Sequence, residues 1–165
     1  MTSDDNLQES KLKDLVAQSN PIIQSSKKFD VMGMRLFLIG LMALNPHYSE
    51  NDKYYDEKFP DTFVSTKKLS EMFGNNYYLN GLQNSCTKLF DSHITLSFDD
   101  GGWELIHIFE KLKYVSQEGL YLKFDENMKP YLLDFVKANG YTIINAEQLF
   151  RLSSPYAVRL VELLL

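Results

Sequence analysis

The sequence has few of the residues that mark secreted, fibrous or disordered proteins. Among its 165 residues there is one cysteine, Cys86, which excludes an internal disulfide framework and fits a reducing compartment. Eight glycines and five prolines are too few for a collagen-like or low-complexity chain. The hydrophobic fraction of 44% and the aromatic fraction of 13% instead predict a packed core. The length fits one compact domain or two very small ones.

The chain also lacks the hydrophobic segments that secretion and membrane insertion require. It begins with MTSDDNLQES, which has neither the basic region nor the apolar region of a signal peptide. The most hydrophobic window, Val31–Leu44, contains Arg35 and is shorter than the roughly 20 residues of a spanning helix. We therefore predict a cytoplasmic protein that is not associated with a membrane.

No arrangement of reactive residues predicts an enzyme or a metal site. The three histidines, His47, His93 and His107, do not have ligand spacing, and no glycine-rich phosphate loop occurs. Cys86 falls on the inner face of a predicted helix, where a packed thiol is expected. The carboxylates of Asp99, Asp100 and Glu104 could gather a cation, but they are interpreted as solvated loop residues. We predict no catalytic residues, no cofactor and no metal.

The net charge of -5 comes from limited parts of the chain. Residues 1–10, residues 50–61 and residues 99–104 each contribute -3, and the remaining residues together carry +4. The acidic residues therefore lie in a tail and two predicted loops. The rest of the chain is mildly basic and compatible with a nucleic-acid partner.

The centre of the chain has the pattern of a helix-turn-helix. Asp30 is predicted to cap a very apolar helix over Val31–Leu44, and an acidic loop follows over residues 47–61. After a short strand, Phe63–Ser65, Thr66 is predicted to cap a helix that runs to Phe73. A tight turn containing Gly74 leads to a second helix, Tyr78–Asp91, with apolar residues at spacings of three and four.

Strands follow the two helices. Residues 94–98 alternate apolar and polar side chains, and the turn at residues 99–102 predicts a hairpin with a return strand over Trp103–Val115. A second turn at residues 117–119 precedes a strand over Leu120–Phe124. This order predicts an α+β fold: a winged helix-turn-helix with a small antiparallel sheet made of wing hairpins, and flanking helices.

Further segments are predicted before the first helix and after the strands. Residues 1–14 form an acidic flexible tail, and Leu15–Ile23 forms a short extended segment around Pro21. A helix is predicted over Asn127–Lys137 and an extended segment over Tyr141–Ile144, followed by a short helix over residues 146–152 and a last helix from residue 155. Because that last helix reaches Leu165 without a capping residue, we expect further protein beyond it.

Three stretches resemble a known family. They are Leu15–Asn20, residues 63–73 with 88–91, and Tyr131–Leu133 with residues 154–164. The last of these is similar to a family signature, here carried by Ser154, Tyr156, Arg159 and Glu162. The chain resembles the first winged-helix domain of plasmid replication initiator (Rep) proteins, which bind directly repeated origin sequences called iterons.

The resemblance implies the N-terminal half of a two-domain initiator, with residues 15–165 as the first winged-helix domain and a second such domain after it. It implies double-stranded origin DNA and a second copy of the chain as partners, with host replication proteins as further candidates. It also implies a bacterial protein associated with the nucleoid or with a plasmid. No catalysis is implied for this half.

Candidate binding residues follow from the helix-turn-helix. The second helix is expected to enter the major groove, where Asn and Gln can pair with adenine and Lys can reach guanine or phosphate. The predicted DNA-binding residues are Lys67, Lys68, Asn76, Asn80, Gln83, Asn84, Thr87 and Lys88. The acidic turn at residues 99–102, interpreted as the wing, would point away from DNA or meet a basic partner.

The first helix allows two interpretations. It is a buried core helix, or one stripe of it continues into a dimer interface, with Met34, Leu38, Leu41 and Met42 as the predicted contacts. The strands around Trp103–Phe109 are an alternative dimer surface through edge pairing.

Two alternatives to DNA binding in replication remain at this point. The chain could be a protein-interaction or dimerisation module of the initiator with no direct role on DNA. It could also be a winged-helix transcriptional regulator.

Overall fold

In the computed structural model of the chain, residues 10, 15–19, 30–73, 79–135 and 141–145 are described, and the side chains of residues 10, 30–71 and 81–135. The helices are α1 (Val31–Met42), α2 (Thr66–Phe73), α3 (Leu79–Asp91) and α4 (Lys129–Leu132), which follows a 3₁₀ turn at Glu126–Met128. The strands are β1 (Leu15–Ser19), β2 (Thr62–Ser65), β3 (His93–Ser97), β4 (Trp103–His107), β5 (Phe109–Val115), β6 (Gly119–Phe124) and β7 (Tyr141–Asn145).

The described strands form three small antiparallel sheets. One has three strands in the order β2-β6-β5, a second consists of β3 and β4, and a third pairs β1 with β7. Helix α2 follows β2 directly and α3 is the next helix along the chain, so the two helices are attached to the three-stranded sheet. This arrangement confirms the predicted winged-helix fold with a small antiparallel sheet.

Helix α1 lies at the centre of the core, as one of its two interpretations predicted. Leu36, Leu38 and Ile39 have no exposed surface, and the helix is buried on nearly every side. Asp30 caps it as predicted, since its carboxylate accepts a hydrogen bond from the Gly33 N–H at 2.6 Å. Gly40 allows close contact with the sheet, because a Cβ there would lie 2.7 Å from the Phe124 ring.

Phe124 of β6 organises the aromatic part of the core. Its ring stacks on Phe109 at 4.7 Å between centroids, meets Phe37 edge to face at 5.7 Å, and contacts Phe59 at 5.3 Å. Phe59 belongs to the segment predicted as a polar loop. The loop prediction is confirmed for the backbone, but this segment also contributes a side chain to the core.

Several boundaries differ from the prediction for identifiable reasons. Helix α2 is capped by Ser65, whose hydroxyl accepts from the Lys68 N–H at 3.1 Å, one residue before the predicted cap Thr66. The strand predicted over residues 103–115 is divided at Ile108, and its two parts belong to different sheets. Ile108 is fully buried and its carbonyl accepts from the Asp125 N–H, which fixes the chain at this division.

The helix predicted over residues 127–137 is much shorter. The backbone of Leu133 and Phe135 bonds instead to His47, with His47 N–H donating to Leu133 O at 2.7 Å and Phe135 N–H donating to His47 O at 2.8 Å. The acidic loop therefore replaces the helical hydrogen bonds that would continue α4. The helices predicted after residue 145 lie outside the described residues.

One residue of the predicted N-terminal tail contacts the fold. The Ser10 N–H donates to Phe63 O at 3.0 Å, and the Ser10 hydroxyl accepts from the Phe63 N–H at 2.9 Å. Ser10 thus satisfies both the N–H and the carbonyl group of Phe63, on the edge of β2 opposite to β6.

Candidate nucleic-acid interface

Helix α3 has a buried side and a polar exposed side. Leu82, Ser85 and Leu89 are at most 7% exposed and face the core, because residues three and four apart share a helix face. The exposed side carries four of the predicted contact residues, namely Gln83, Asn84, Thr87 and Lys88. The side chain of Asn80, and the whole of Asn76, lie outside what the structure describes.

The four exposed residues differ in the groups they offer to a nucleic acid. The Thr87 hydroxyl donates to the backbone oxygen of Gln83 at 2.9 Å, which leaves its lone pairs and its methyl group toward solvent. Gln83 and Asn84 offer amide groups that can each donate and accept. Lys88 is a cation in the last turn of the helix. The exposed side therefore suits hydrogen bonding to base edges more than general attraction to phosphate.

Helix α2 presents the other predicted cations at its first turn. Lys67 is exposed, whereas Lys68 lies 4.0 Å from the Glu71 carboxylate one turn later. An exposed pair of this kind is weak, but it lowers the local positive charge. Lys67 is thus the better placed of the two for a phosphate.

A contact from outside the helix-turn-helix fixes the position of α3. The Ser85 hydroxyl donates to the second oxygen of the Asp30 carboxylate at 3.1 Å. The same carboxylate caps α1 through Gly33. Asp30 therefore joins the start of the central helix to the middle of α3, and sequence reasoning assigned it only the capping role.

The structure corrects which hairpin is the wing. Residues 99–102 connect β3 and β4, which form a sheet of their own. The hairpin in the sheet of the helix-turn-helix is β5–β6, with its turn at residues 116–118. The Thr66 N–H at the start of α2 donates to Glu118 O in that turn at 3.1 Å. The acidity of residues 99–102 is therefore not a property of the wing.

The β5–β6 hairpin carries three lysines that sequence reasoning did not select. Lys111 pairs with Asp61 at 3.1 Å and Lys123 with Glu110 at 3.2 Å. Lys113 is exposed, and the described part of the chain shows no ion pair for it. Lys111 and Lys113 alternate with apolar residues along β5, and this alternation is the sequence signal that could have identified Lys113.

A cleft of about 590 Å³ separates α3 from β5. Gln83 and Thr87 lie along it, together with Leu82, Cys86, Phe90, Asp91, Leu112, Tyr114 and Leu120. Burial, and then the nearby Asp30 charge, raise the pKa of the Cys86 thiol to about 11. The thiol is therefore protonated at neutral pH and forms part of the packing, as predicted.

The stripe predicted as a dimer interface on α1 is inside the core. Met34, Leu38, Leu41 and Met42 are between 0 and 6% exposed. A second copy could reach them only if the surrounding elements moved away. The alternative surface around Trp103–Phe109 is accessible in part. Trp103 and Leu105 of β4 are 67% and 52% exposed, whereas Ile106, Ile108 and Phe109 are buried.

The predicted family signature lies outside the described residues, since Ser154, Tyr156, Arg159 and Glu162 all follow residue 145. Among the described residues there is no group of three or more side chains that could hold a metal ion. No helix in the same part of the chain is long and apolar enough to span a membrane.

Comparisons with known proteins agree on the fold. The family model described as "Initiator Replication protein, WH1" matches residues 15–165. Eleven chains of solved structures match significantly. One is the crystal structure of Pi initiator protein in complex with iteron DNA, with a TM-score of 0.69 and 19% sequence identity. No curated protein sequence matches significantly.

The match covers 96% of this chain but 64% of that chain, so this chain spans less than two thirds of the Pi initiator chain. At this level of identity, the similarity shows the fold.

Proposed function

Because the chain belongs to the initiator replication protein family and matches its WH1 region, we propose that it binds repeated origin DNA and serves the initiation of plasmid replication. Its site of action would be plasmid DNA in the bacterial cytoplasm. The single observation that carries the proposal is the exposed polar side of α3 within a helix-turn-helix. The Pi initiator protein, which has this fold, was crystallised with iteron DNA.

In this proposal α3 enters the major groove and the flanking elements bind the backbone. Gln83, Asn84 and Thr87 contact base edges, and Lys88 reaches a phosphate or a guanine. Lys67 at the start of α2 and Lys113 on the wing bind phosphates on either side. With so few cations, affinity for unrelated DNA is modest and falls steeply with salt.

Fluorescence anisotropy with a duplex carrying the direct repeats of the replicon that encodes this chain tests the proposal. We expect tighter binding to this duplex than to a scrambled one of the same composition. Lys67→Glu and Lys113→Glu should each reduce the slope of log affinity against log salt by about one. Lys53→Glu is the matched control, since Lys53 is also exposed but lies in the acidic loop. Equal affinity for both duplexes contradicts sequence-specific binding.

We also propose that the chain associates with itself through the exposed face of the β3–β4 hairpin. Both strands lack a second neighbour among the described strands, and Trp103 and Leu105 leave apolar surface in water. Leu105→Lys should weaken self-association in sedimentation velocity without changing thermal stability. Unchanged association in this variant contradicts the assignment of the face.

DNA binding and self-association can be separated by these variants. If the lysine variants leave DNA affinity intact while Leu105→Lys alters the activity of the initiator, the chain acts as an interaction module. That outcome favours the alternative function, in which DNA is bound elsewhere.

A further inference from the structure

The outer face of the β3–β4 hairpin brings two histidines together. His93 on β3 lies directly opposite His107 on β4 in the strand register. Both residues are exposed, and they share their face with Trp103 and Leu105, because side chains alternate along a strand. The opposite face, with Ile94, Leu96 and Ile106, is buried in the core.

The hydrogen-bond pattern shows that these histidines are close neighbours. The Phe98 N–H donates to Gly102 O at 2.9 Å, which identifies that pair as hydrogen-bonded. Hydrogen-bonded and non-hydrogen-bonded pairs alternate along an antiparallel ladder. His93 and His107 lie five residues farther from the turn, each on its own strand, and therefore form a non-hydrogen-bonded pair. In such pairs the Cα atoms are about 4.5 Å apart and the side chains approach most closely.

Two adjacent neutral imidazoles can ligate one borderline divalent transition-metal ion. A closed zinc site has four ligands in a tetrahedron, with nitrogen atoms about 2.0–2.1 Å from the metal. Among the described residues, no third histidine, cysteine or carboxylate completes a group with this pair. A single copy of the hairpin thus supplies half of a tetrahedral site.

A second copy can supply the other half through the same face. A twofold axis that runs parallel to the strands and midway between them, between two hairpins packed face to face, places His93 of one copy opposite His107 of the other. The two histidine pairs then meet, and so do the exposed Trp103 and Leu105 side chains. Packed sheets lie about 10 Å apart, a gap that imidazoles from both sides can bridge through a metal ion.

We propose that His93 and His107 from two copies of this chain form a shared site for Zn²⁺. The metal joins the two hairpins and strengthens their association. The proposal rests on the proposed self-association through this face, and adds a metal ion as the group that controls it. It is independent of DNA binding.

The test is sedimentation velocity of the untagged chain at about pH 7.5, where an ordinary imidazole is neutral. One sample contains a chelator and the other contains Zn²⁺. We expect Zn²⁺ to lower the apparent dimer dissociation constant at least about tenfold, with one metal ion bound per two chains in calorimetric titration. Emission from Trp103, the single tryptophan, should shift to shorter wavelength as its face becomes buried.

His93→Asn and His107→Asn should each abolish the zinc effect. His47→Asn is the matched control, because His47 is the third histidine of the chain and stacks on Tyr55 at 3.8 Å, away from this face. Circular dichroism shows whether each variant is folded, and Ni²⁺ in place of Zn²⁺ provides a second imidazole-binding probe.

Each outcome decides between the two proposals. Zinc-dependent association that requires His93 and His107 but not His47 supports the shared site. Association without any zinc effect overturns the metal site and leaves the self-association face intact. Zinc bound one per chain with no change in assembly overturns the shared site. Equal loss in all three histidine variants also overturns it.

Discussion

The Asp30 carboxylate uses one oxygen for each of two helices, so its replacement should cost more than the loss of an ordinary cap. Its Oδ1 atom accepts from the Gly33 N–H at 2.6 Å and its Oδ2 atom accepts from the Ser85 hydroxyl at 3.1 Å. Asp30→Ala removes both bonds. Asp30→Asn retains an acceptor for Gly33 and a polar group toward Ser85.

The size of each loss follows from burial. Loss of the cap costs about 1 kcal/mol, within the range of roughly 0.5–2 kcal/mol found for such caps. Ser85 is 7% exposed, so its hydroxyl would lose its partner where water has little access, at about 1–2 kcal/mol. The expected total for Asp30→Ala is about 2–3 kcal/mol. Ser85→Ala should cost only about 0.5–1 kcal/mol, because water can solvate the exposed Asp30.

Urea unfolding of the two single variants and the double variant measures these free energies and their coupling. The double variant should be less destabilised than the sum of the single variants by about 1 kcal/mol, because the shared bond is lost only once. Asp125→Ala is a control for a cap that joins no second element, since the Asp125 carboxylate accepts from the N–H and the side-chain amide of Asn127 at the 3₁₀ turn. It should cost about 1 kcal/mol.

Additivity of the single variants within about 0.3 kcal/mol would refute a shared carboxylate. So would a cost below about 0.5 kcal/mol for Asp30→Ala. If the coupling is confirmed, Ser85→Ala should also weaken DNA binding more than its stability effect explains, because α3 would lose one of its fixed points.

Three further predictions concern the turn, the thiol and the acidic loop. Gly119→Ala should destabilise the fold by about 2–4 kcal/mol in urea unfolding, because the Gly119 φ is +155° and a Cβ there would lie 2.2 Å from Val64 O. Gly81→Ala is the comparison in the same assay. It should stabilise α3 by about 0.5–1 kcal/mol, because a Cβ at Gly81 would meet open space. Equal effects of the two substitutions would contradict the packing at the wing. Cys86, with a pKa of about 11, should react with iodoacetamide at pH 8 far more slowly than in the urea-unfolded chain, and comparable rates would show that the α3 cleft opens readily. Hydrogen bonds from the Ser49 and Tyr48 N–H groups lower the pKa of Asp52 in the folded chain. The stability that Asp52 contributes is therefore fully present above the ordinary carboxyl pKa. This stability is lost as the pH falls through the lowered pKa of Asp52. An NMR titration showing an ordinary carboxyl pKa for Asp52 would exclude this turn in solution.

Much of the fold could be predicted from local pattern. The cap at Asp30, the two helices of the helix-turn-helix and the strand alternation after them depend on neighbours within a few residues, so they are readable along the chain. The exposed side of α3 was predicted for the same reason. The shortened α4 was not, because the His47 backbone that replaces its hydrogen bonds lies more than 80 residues earlier in the sequence.

The sequence by itself determined the order of the elements and the polar side of α3, because both follow from local periodicity. Only the tertiary structure decided which hairpin is the wing, since that depends on β6 pairing with β2. It also placed the α1 stripe inside the core and joined Asp30 to Ser85. His93 and His107 have no ligand spacing along the chain, yet the hairpin register places them opposite each other. Pairing between strands depends on contacts distant in sequence, which local patterns do not encode.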